Sequence, residues 1–598
     1  MQALMRTVGV VALACAAACA GSAADGQGQT DAGGVSSDAQ TCGTAITFDP
    51  TEPEANGTAP IRAAVNIGGT ATGVLTYSWD VTLSGNPIAF TTEASDNSQI
   101  GFLAPTAGPY RVTVNIGGPV DCSYAEAFVN VLQPGAKQTF YRLRTLPSSG
   151  NVPPQEQVIQ VRGGADVNRD IALDPGITAS LAVQQSGTGA GVQAYVKMMP
   201  VGAPNAFTEI FTLANGTFSA KLLGQNHTAL VIPTSTSIAP ALVTWAPAQA
   251  ALVIGTGAVV SGVVKGPSGS GLSGAKVQLT SGGVPSTVGT TAADGSFSLR
   301  TSFAANASVT VKVTPTAASG LPRLEATGMF NLSSSVQVTY SSSLTTCDLN
   351  NTPVRRNGNN QNNAKVTVVG TLPGTSGSVV AGVTANATGN VRIAATADGT
   401  GKLTSVLVPR AASLSAVVEL GMNDFAVDTI DTSTCGALTV DAPDLIVRTG
   451  TVKNVANDVL SGVRVEATPI GVLAQADAQV ITAITNASGA FSISLASGGL
   501  FDVRFVDPYA RAARLEKLGL APAAVPTTAT LPKSLAISGK VSVSGSSQPV
   551  SSASIQLLCA PGALNPTCTG IETTRPVAET ASDGISAYRI AVPDPGTM

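Results

Sequence analysis

A recurring punctuation constrains this chain more than anything else in it. Short runs of Val, Ile, Thr and Leu are broken by Asp-Gly or Asn-Gly, and a large apolar residue follows just beyond. Asn215-Gly216 leads to Phe218, Asp294-Gly295 to Phe297, Asp398-Gly399 to Leu403, Gly489 to Phe491 and Asp583-Gly584 to Tyr588. Gly after Asp or Asn supplies the positive φ of a tight hairpin, and the residue beyond it buries into a core. Each copy therefore reads as one β-sandwich module. Val260–Leu299 is the clearest: VSGVVKGPSGSGLSGAKVQLTSG runs through a spacer into TTAADGSFSL.

Composition agrees. Charged residues make up 11% of the 598 and aromatics 4%, with 63 Gly and 36 Pro. A coiled coil needs far more Glu, Lys, Arg and Leu, and a charge-driven disordered chain far more charge. The net charge of -4 leaves no basic footprint for nucleic acid. The fold class expected is all-β, a string of about six small sandwiches. One helix is expected, in YARAARLEKLGL, opened by Pro508 and stopped by Gly519.

G-x-V, then G-A-x-V-x-L, then T-x-x-D-G-x-F-S resembles the carboxypeptidase regulatory-like (transthyretin-like, carbohydrate-binding-like) sandwich. That resemblance covers roughly residues 135 to 598, strongly in the second and last copies. It implies a fold and no activity, because the matching residues are turn and core positions. Ahead of it, YSWDVTLSGNP with Trp79 and APTAGPYRVTVNI with Tyr110 are similar to PKD and related immunoglobulin-like domains. The resemblance implies a buried Trp79 and a tyrosine corner at Tyr110. The units expected are a PKD/Ig-like sandwich over 41–134 and regulatory-like repeats over 135–254, 255–345, 346–446, 447–531 and 532–598. Their short Pro-containing junctions predict an extended rod.

Residues 1–19 read as an export signal, with Arg6 before an apolar run and small residues after it. AAAC ending at Cys19 resembles a bacterial lipobox, which implies acylation of Cys19, with Cys15 as the competing cysteine and plain signal cleavage as the rival reading. Residues 20–40, rich in Gly, Ser, Asp and Gln, read as a flexible tether. Six cysteines remain, and export permits oxidation. Cys42 with Cys122, Cys347 with Cys435 and Cys559 with Cys568 each bracket one expected unit or loop and are the disulfide candidates. No C-x-x-C pair occurs, which argues against zinc.

Chemistry is scarce. His227 is the single histidine, in LLGQNHTALVIP, and no G-x-S-x-G elbow accompanies it. It is expected at a surface or turn. The count also excludes H-E-x-x-H zinc sites, so no catalytic, cofactor-binding or metal residue is assigned and no cofactor is expected. Gly269-Ser270-Gly271-Leu272-Ser273-Gly274 matches a dinucleotide fingerprint in form, but the alternating strand after it makes it a hairpin loop. Asp166, Asn168 and Asp170 have calcium-loop spacing, yet Ile171 and Ile177 stand where Gly and Glu are required, which favours a polar linker. Lys276 invites comparison with isopeptide-forming adhesin domains and reads instead as a solvent-facing strand lysine. Trp79 and Trp245 are expected in cores or junctions.

The resulting expectation is a non-enzymatic, exported cell-envelope lipoprotein acting as a scaffold, spacer or adhesive surface. It would sit at the outer membrane, cell surface or periplasm, or be secreted if not lipidated. A glycan- or peptidoglycan-binding module array is the alternative. Partners would be the membrane, through the lipid anchor alone, and a protein or glycan ligand; nucleic acid is not expected.

Overall fold

The computed structural model describes residues 44–594 apart from 51–52, 56–58, 68–73, 84–85, 96, 119–123, 132–137, 149, 165, 412, 422–423, 547 and 560–575. The chain is nearly all β. Among the described residues its helices are one four-residue turn, Val472–Gln475, and two 3-10 turns.

The first sandwich, 44–131, packs two four-stranded sheets. One holds Ala45–Asp49, Ile61–Asn66, Gln99–Phe102 and Phe90–Thr92; the other Asn86–Pro87, Thr76–Leu83, Gly108–Gly117 and Tyr124–Val131. Trp79 lies in its core, the indole Nε1–H donating to the Asn97 carbonyl at 2.9 Å. The Tyr110 hydroxyl, on a fully buried ring, donates to the Thr106 carbonyl at 2.9 Å, four residues upstream. That contact is the expected tyrosine corner.

The third sandwich, 177–254, sets the pattern for the remainder. A three-stranded sheet, Thr217–Leu222, Ile177–Gln185 and Ala251–Ile254, faces a four-stranded one, Thr208–Phe211, Ala194–Pro200, His227–Pro233 and Ala241–Trp245. The last strand of the unit runs parallel to its first. The sixth sandwich, 446–531, repeats this order, and the fourth, 258–340, does so within a larger sheet.

The second sandwich is assembled from two distant pieces. Residues 534–594 contribute only four strands, Ser534–Val543, Ser554–Cys559, Pro576–Ala581 and Ala587–Pro593. The positions of the other three are filled by Gln138–Leu146, Gln155–Arg162 and the broken strand Val167–Asn168 with Ile171–Leu173. Gln138–Leu146 pairs antiparallel with Ser554–Cys559, and Val167–Leu173 runs parallel to Ser534–Val543. The result is the same seven-strand unit, circularly permuted. Its single core joins Tyr141, Leu143, Ile159 and Val161 to Ile537, Ile555, Leu557 and Ile590.

The expected repeat over 135–254 is thus divided: 138–173 belongs with the last unit and 177–254 stands alone. Neither 138–173 nor 534–594 can bury its apolar face unaided, which is the physical reason these two segments combine. The rod expectation changes with it. Leu173 lies beside Val543 while the returning chain enters at Ser534, so the four inserted sandwiches leave one end of the split unit and come back about 30 Å away at the other. The path is a closed circuit rooted in the split sandwich, with the first sandwich outside it.

Neighbours along that circuit share structure. Lys365–Ala381 and Val383–Thr396 form a long hairpin that belongs to two sandwiches. Its base pairs with Leu414–Gly421 in the fifth sandwich, 346–442, and its tip pairs with Val336–Tyr340 in the fourth. Val366, Val368 and Ile393 accordingly sit in the fifth core, and Val379, Ala381 and Ala387 in the fourth. Val369, Val417 and Phe425 pack into the sixth core. Between the third and fourth, Gly257 at φ 75° lies so close that a Cβ would fall 2.4 Å from both Ala239 Cβ and Thr301 O.

The expected helix is absent. Leu515–Leu520 is a strand antiparallel to Leu500–Val506, and Ala510 sits at φ 54°. The buried Asp507 carboxylate accepts the N–H groups of Tyr509, Arg511 and Ala512 and pairs with the Arg511 guanidinium. A capped loop that completes a sheet outweighs the modest helix propensity of these residues.

Candidate functional site

The punctuating turns are geometrically one motif. In 213–216, 292–295, 398–401, 486–489 and 583–586 the fourth residue donates its N–H to the carbonyl of the first, and the first donates to the residue after the turn. The left-handed fourth position is Gly216, Gly295, Gly401, Gly489 or Ser586. Asp583-Gly584 and Asp398-Gly399 are therefore two residues out of step with Asp294-Gly295. Two acceptor placements stabilise the same turn. Asp294 and Asn215, just before the glycine, accept from Ser296 and Thr217. Asp398, Asn486 and Asp583, at the first position, accept two N–H groups each. The Ser296 and Thr400 hydroxyls, helped by these N–H donors, hold the exposed Asp294 and Asp398 carboxyls below their ordinary range. A buried hydroxyl one residue before four of the turns, Thr212, Thr291, Thr485 or Ser582, accepts from one backbone N–H and donates to a carbonyl. The turns are structural joints.

Other candidate residues are equally occupied. His227 is buried rather than at the surface. It opens the strand His227–Pro233, its Nδ1 lies 2.8 Å from the Gln225 carbonyl oxygen, and its ring meets Trp245 edge-on at 5.3 Å. Burial pushes its pKa down, which keeps the imidazole neutral. Trp245 is buried in the third core and donates to the Gln249 carbonyl at 2.9 Å. Asp166 and Asp170 accept the N–H groups of Ala536 and Lys540, joining the broken strand to its parallel neighbour, and Asn168 is an exposed strand residue. No group of three or more His, Cys, Asp or Glu side chains that could hold a metal occurs among the described residues. Gly269–Gly274 lies in a loop bridged by Lys265 and Gly271, with Gly269 and Gly274 left-handed. Lys276 is exposed at the start of its strand.

Cys347 and Cys435 form a disulfide with Cα atoms 5.5 Å apart. Cys559 is disulfide-bonded too, to a partner outside the described residues. Cys15, Cys19, Cys42, Cys122 and Cys568 lie outside the described residues.

Half-buried ion pairs, which the sequence did not single out, recur between strands. Arg142 meets Glu156 at 2.8 Å, Arg504 meets Glu516 at 3.0 Å, and Arg356 grips Asp424 with two nitrogens. A broad cleft of about 810 Å³ crosses the sixth sandwich. It is lined by neutral hydroxyls from Thr449, Thr451, Thr482 and Ser492, with Ile484 beside them. No charged side chain lines it, so it carries no group able to move a proton at neutral pH.

No family model matches the sequence, and no curated protein matches it. Among solved structures it is similar to the Bacillus anthracis TIE protein, with 10% identity over 67% of this chain and 74% of that one at a TM-score of 0.13. A streptococcal ancillary pilin is 9% identical over 60% of this chain and 99% of its own, with a TM-score of 0.14. A Bacteroides ovatus mixed-linkage glucan utilization locus protein, SGBP-B, solved with a mixed-linkage heptasaccharide, is 12% identical over 61% and 96%, with a TM-score of 0.11. These are distant likenesses, and the all-β fold rests on the sheets described above.

Proposed function

We propose that the chain is an exported cell-envelope lipoprotein, a non-enzymatic β-sandwich scaffold or adhesive surface protein. One observation carries this reading: the residue types that chemistry would need are consumed by structure. The only imidazole is neutral against Trp245, and the carboxylates of the turns and of the split sandwich cap backbone N–H groups. Four sandwiches held as one circuit on a split base suit display at a distance from a membrane. In this reading Cys19 carries the lipid, 20–40 is the tether, the first sandwich is PKD-like, and the seven-strand units are carboxypeptidase regulatory-like. Palmitate labelling tests the anchor: label enters the wild type and is lost in Cys19→Ser, and label that persists there but vanishes in Cys15→Ser reassigns the site. Adhesion of cells displaying the full chain, unchanged by His227→Gln, tests the non-enzymatic role.

The neutral, hydroxyl-lined cleft of the sixth sandwich favours a second reading, a glycan-binding array. Neutral polysaccharides retained by the full chain and released by Thr449→Lys would support it over a purely structural role.

A further inference from the structure

Four units share one strand order, and a common anchor sets their equivalence. Ala194, Ala275, Val463 and Ala553 each donate an N–H to the buried hydroxyl that precedes the turn. Three residues further along this strand, a cross-strand row begins on the outer face of the four-stranded sheet. In three units the row is polar: Gln278–Lys312–Glu325 in the fourth sandwich, Glu466–Arg504–Glu516 in the sixth and Gln556–Arg144–Glu156 in the split one. A central cation flanked by a carboxylate opposes apolar association of such a face.

The third sandwich breaks the rule. Its row is Lys197–Leu230–Leu242, with Leu in place of both the cation and the Glu. The next row is Phe211–Tyr195–Ile232, with the two rings 5.3 Å apart. Phe211 is 60% exposed and Leu242 47%. The polar groups of the face satisfy one another: Tyr195 donates to Glu209 at 2.6 Å, and the Lys197 ammonium sits 3.5 Å from the centre of the Phe207 ring.

We infer that this face binds the same face of a second copy of the chain. Lys197 and Glu209 are the only charges its four strands place outward, and they lie side by side across two strands. A two-fold axis would set the Lys197 of each copy against the Glu209 of the other, so the face is complementary to itself in charge as well as apolarity. Two sheets would pack about 10 Å apart with strands near -30°. Four strands at about 4.8 Å spacing and five residues at about 3.3 Å give a patch of roughly 19 by 17 Å. Two such patches bury roughly 650 Å² together, below the about 1,000 Å² of a stable specific interface, so the dimer is weak and reversible.

Sedimentation velocity of the full chain, across the micromolar range, tests this. The wild type should show a weight-average sedimentation coefficient that rises with concentration. Leu230→Lys combined with Leu242→Glu reinstates the Lys312–Glu325 pair of the fourth sandwich, so the fold tolerates it. This double variant should keep the unfolding temperature and weaken association at least about tenfold. A wild type that stays monomeric throughout overturns the inference, and so does a double variant that associates as the wild type does.

Discussion

Truncating Leu143 should loosen strands four hundred residues away. Leu143 is fully buried and pairs in register with Leu557, itself fully buried, across the seam between the two pieces of the split sandwich. Leu→Ala at such a site costs 2 to 5 kcal/mol, so about 3 kcal/mol is expected. At 25 °C that multiplies the open population of a cooperative unit roughly 150-fold. Hydrogen exchange followed by mass spectrometry on the full chain reads this out. Amides of Ser534–Val543 and Ala587–Pro593 should accelerate together with those of Gln138–Leu146, by that factor, while the core strands of the third sandwich keep their rates. The reciprocal Leu557→Ala should loosen the same set. Acceleration confined to 138–162, with the C-terminal strands unchanged, would refute the claim that the two segments form one cooperative unit.

Further consequences follow from individual residues. Ser586 occupies a left-handed position that glycine fills in the other turns, so Ser586→Gly should stabilise the split sandwich by about 1 kcal/mol, read by chemical denaturation; Gly295→Ala, whose Cβ would lie 2.2 Å from Val264 O, should cost about 2 kcal/mol in the fourth. Removing the Cys347–Cys435 bridge, which spans 88 residues, should destabilise the fifth sandwich by about 4.6 kcal/mol on the chain-entropy model, so a reductant should lower its unfolding midpoint. The His227 pKa is held down by burial, so the unfolded state binds the proton first; stability of the third sandwich should be full above the ordinary value of about 6.5 and decline as pH falls below it toward the folded value. His227→Phe should flatten that slope in denaturation curves measured between mildly acidic and neutral pH.

Much of this fold is written locally. Alternation of apolar and polar residues gives the strands, and the glycine of each turn gives the hairpin, because both depend on neighbours in sequence. Partner choice does not. The alternation in Gln155–Arg162 specifies a buried face but is silent on which sheet receives it, and here the receiving strands begin at residue 534. One signal was present. The last expected unit, 532–598, is the shortest of the repeats while 135–254 is the longest, as expected if strands counted in one belong to the other. The displaced Asp583-Gly584 has a similar cause: the dipeptide matches by eye, while the turn is set by which residue adopts positive φ, and that is Ser586. His227 read as a turn residue because Gln225 and Asn226 precede it, yet it is the first strand residue and faces Trp245. The apolar face of the third sandwich was invisible because Leu230 and Leu242 look like core residues until the register places them outward.

The most direct test of the closed circuit is a distance across the seam. Positions 158 and 579 both face outward, in strands at opposite edges of one four-stranded sheet. Spin labels on unnatural residues at these two sites leave the native cysteines untouched, and double electron–electron resonance on the full chain then reads their separation. Three inter-strand steps of about 4.8 Å and a two-residue offset place the backbones about 16 Å apart, so a short, narrow distribution is predicted. In an open string, four sandwiches of about 30 Å each would stand between the two labels. A distribution lying beyond about 60 Å would contradict the closure on which this account rests.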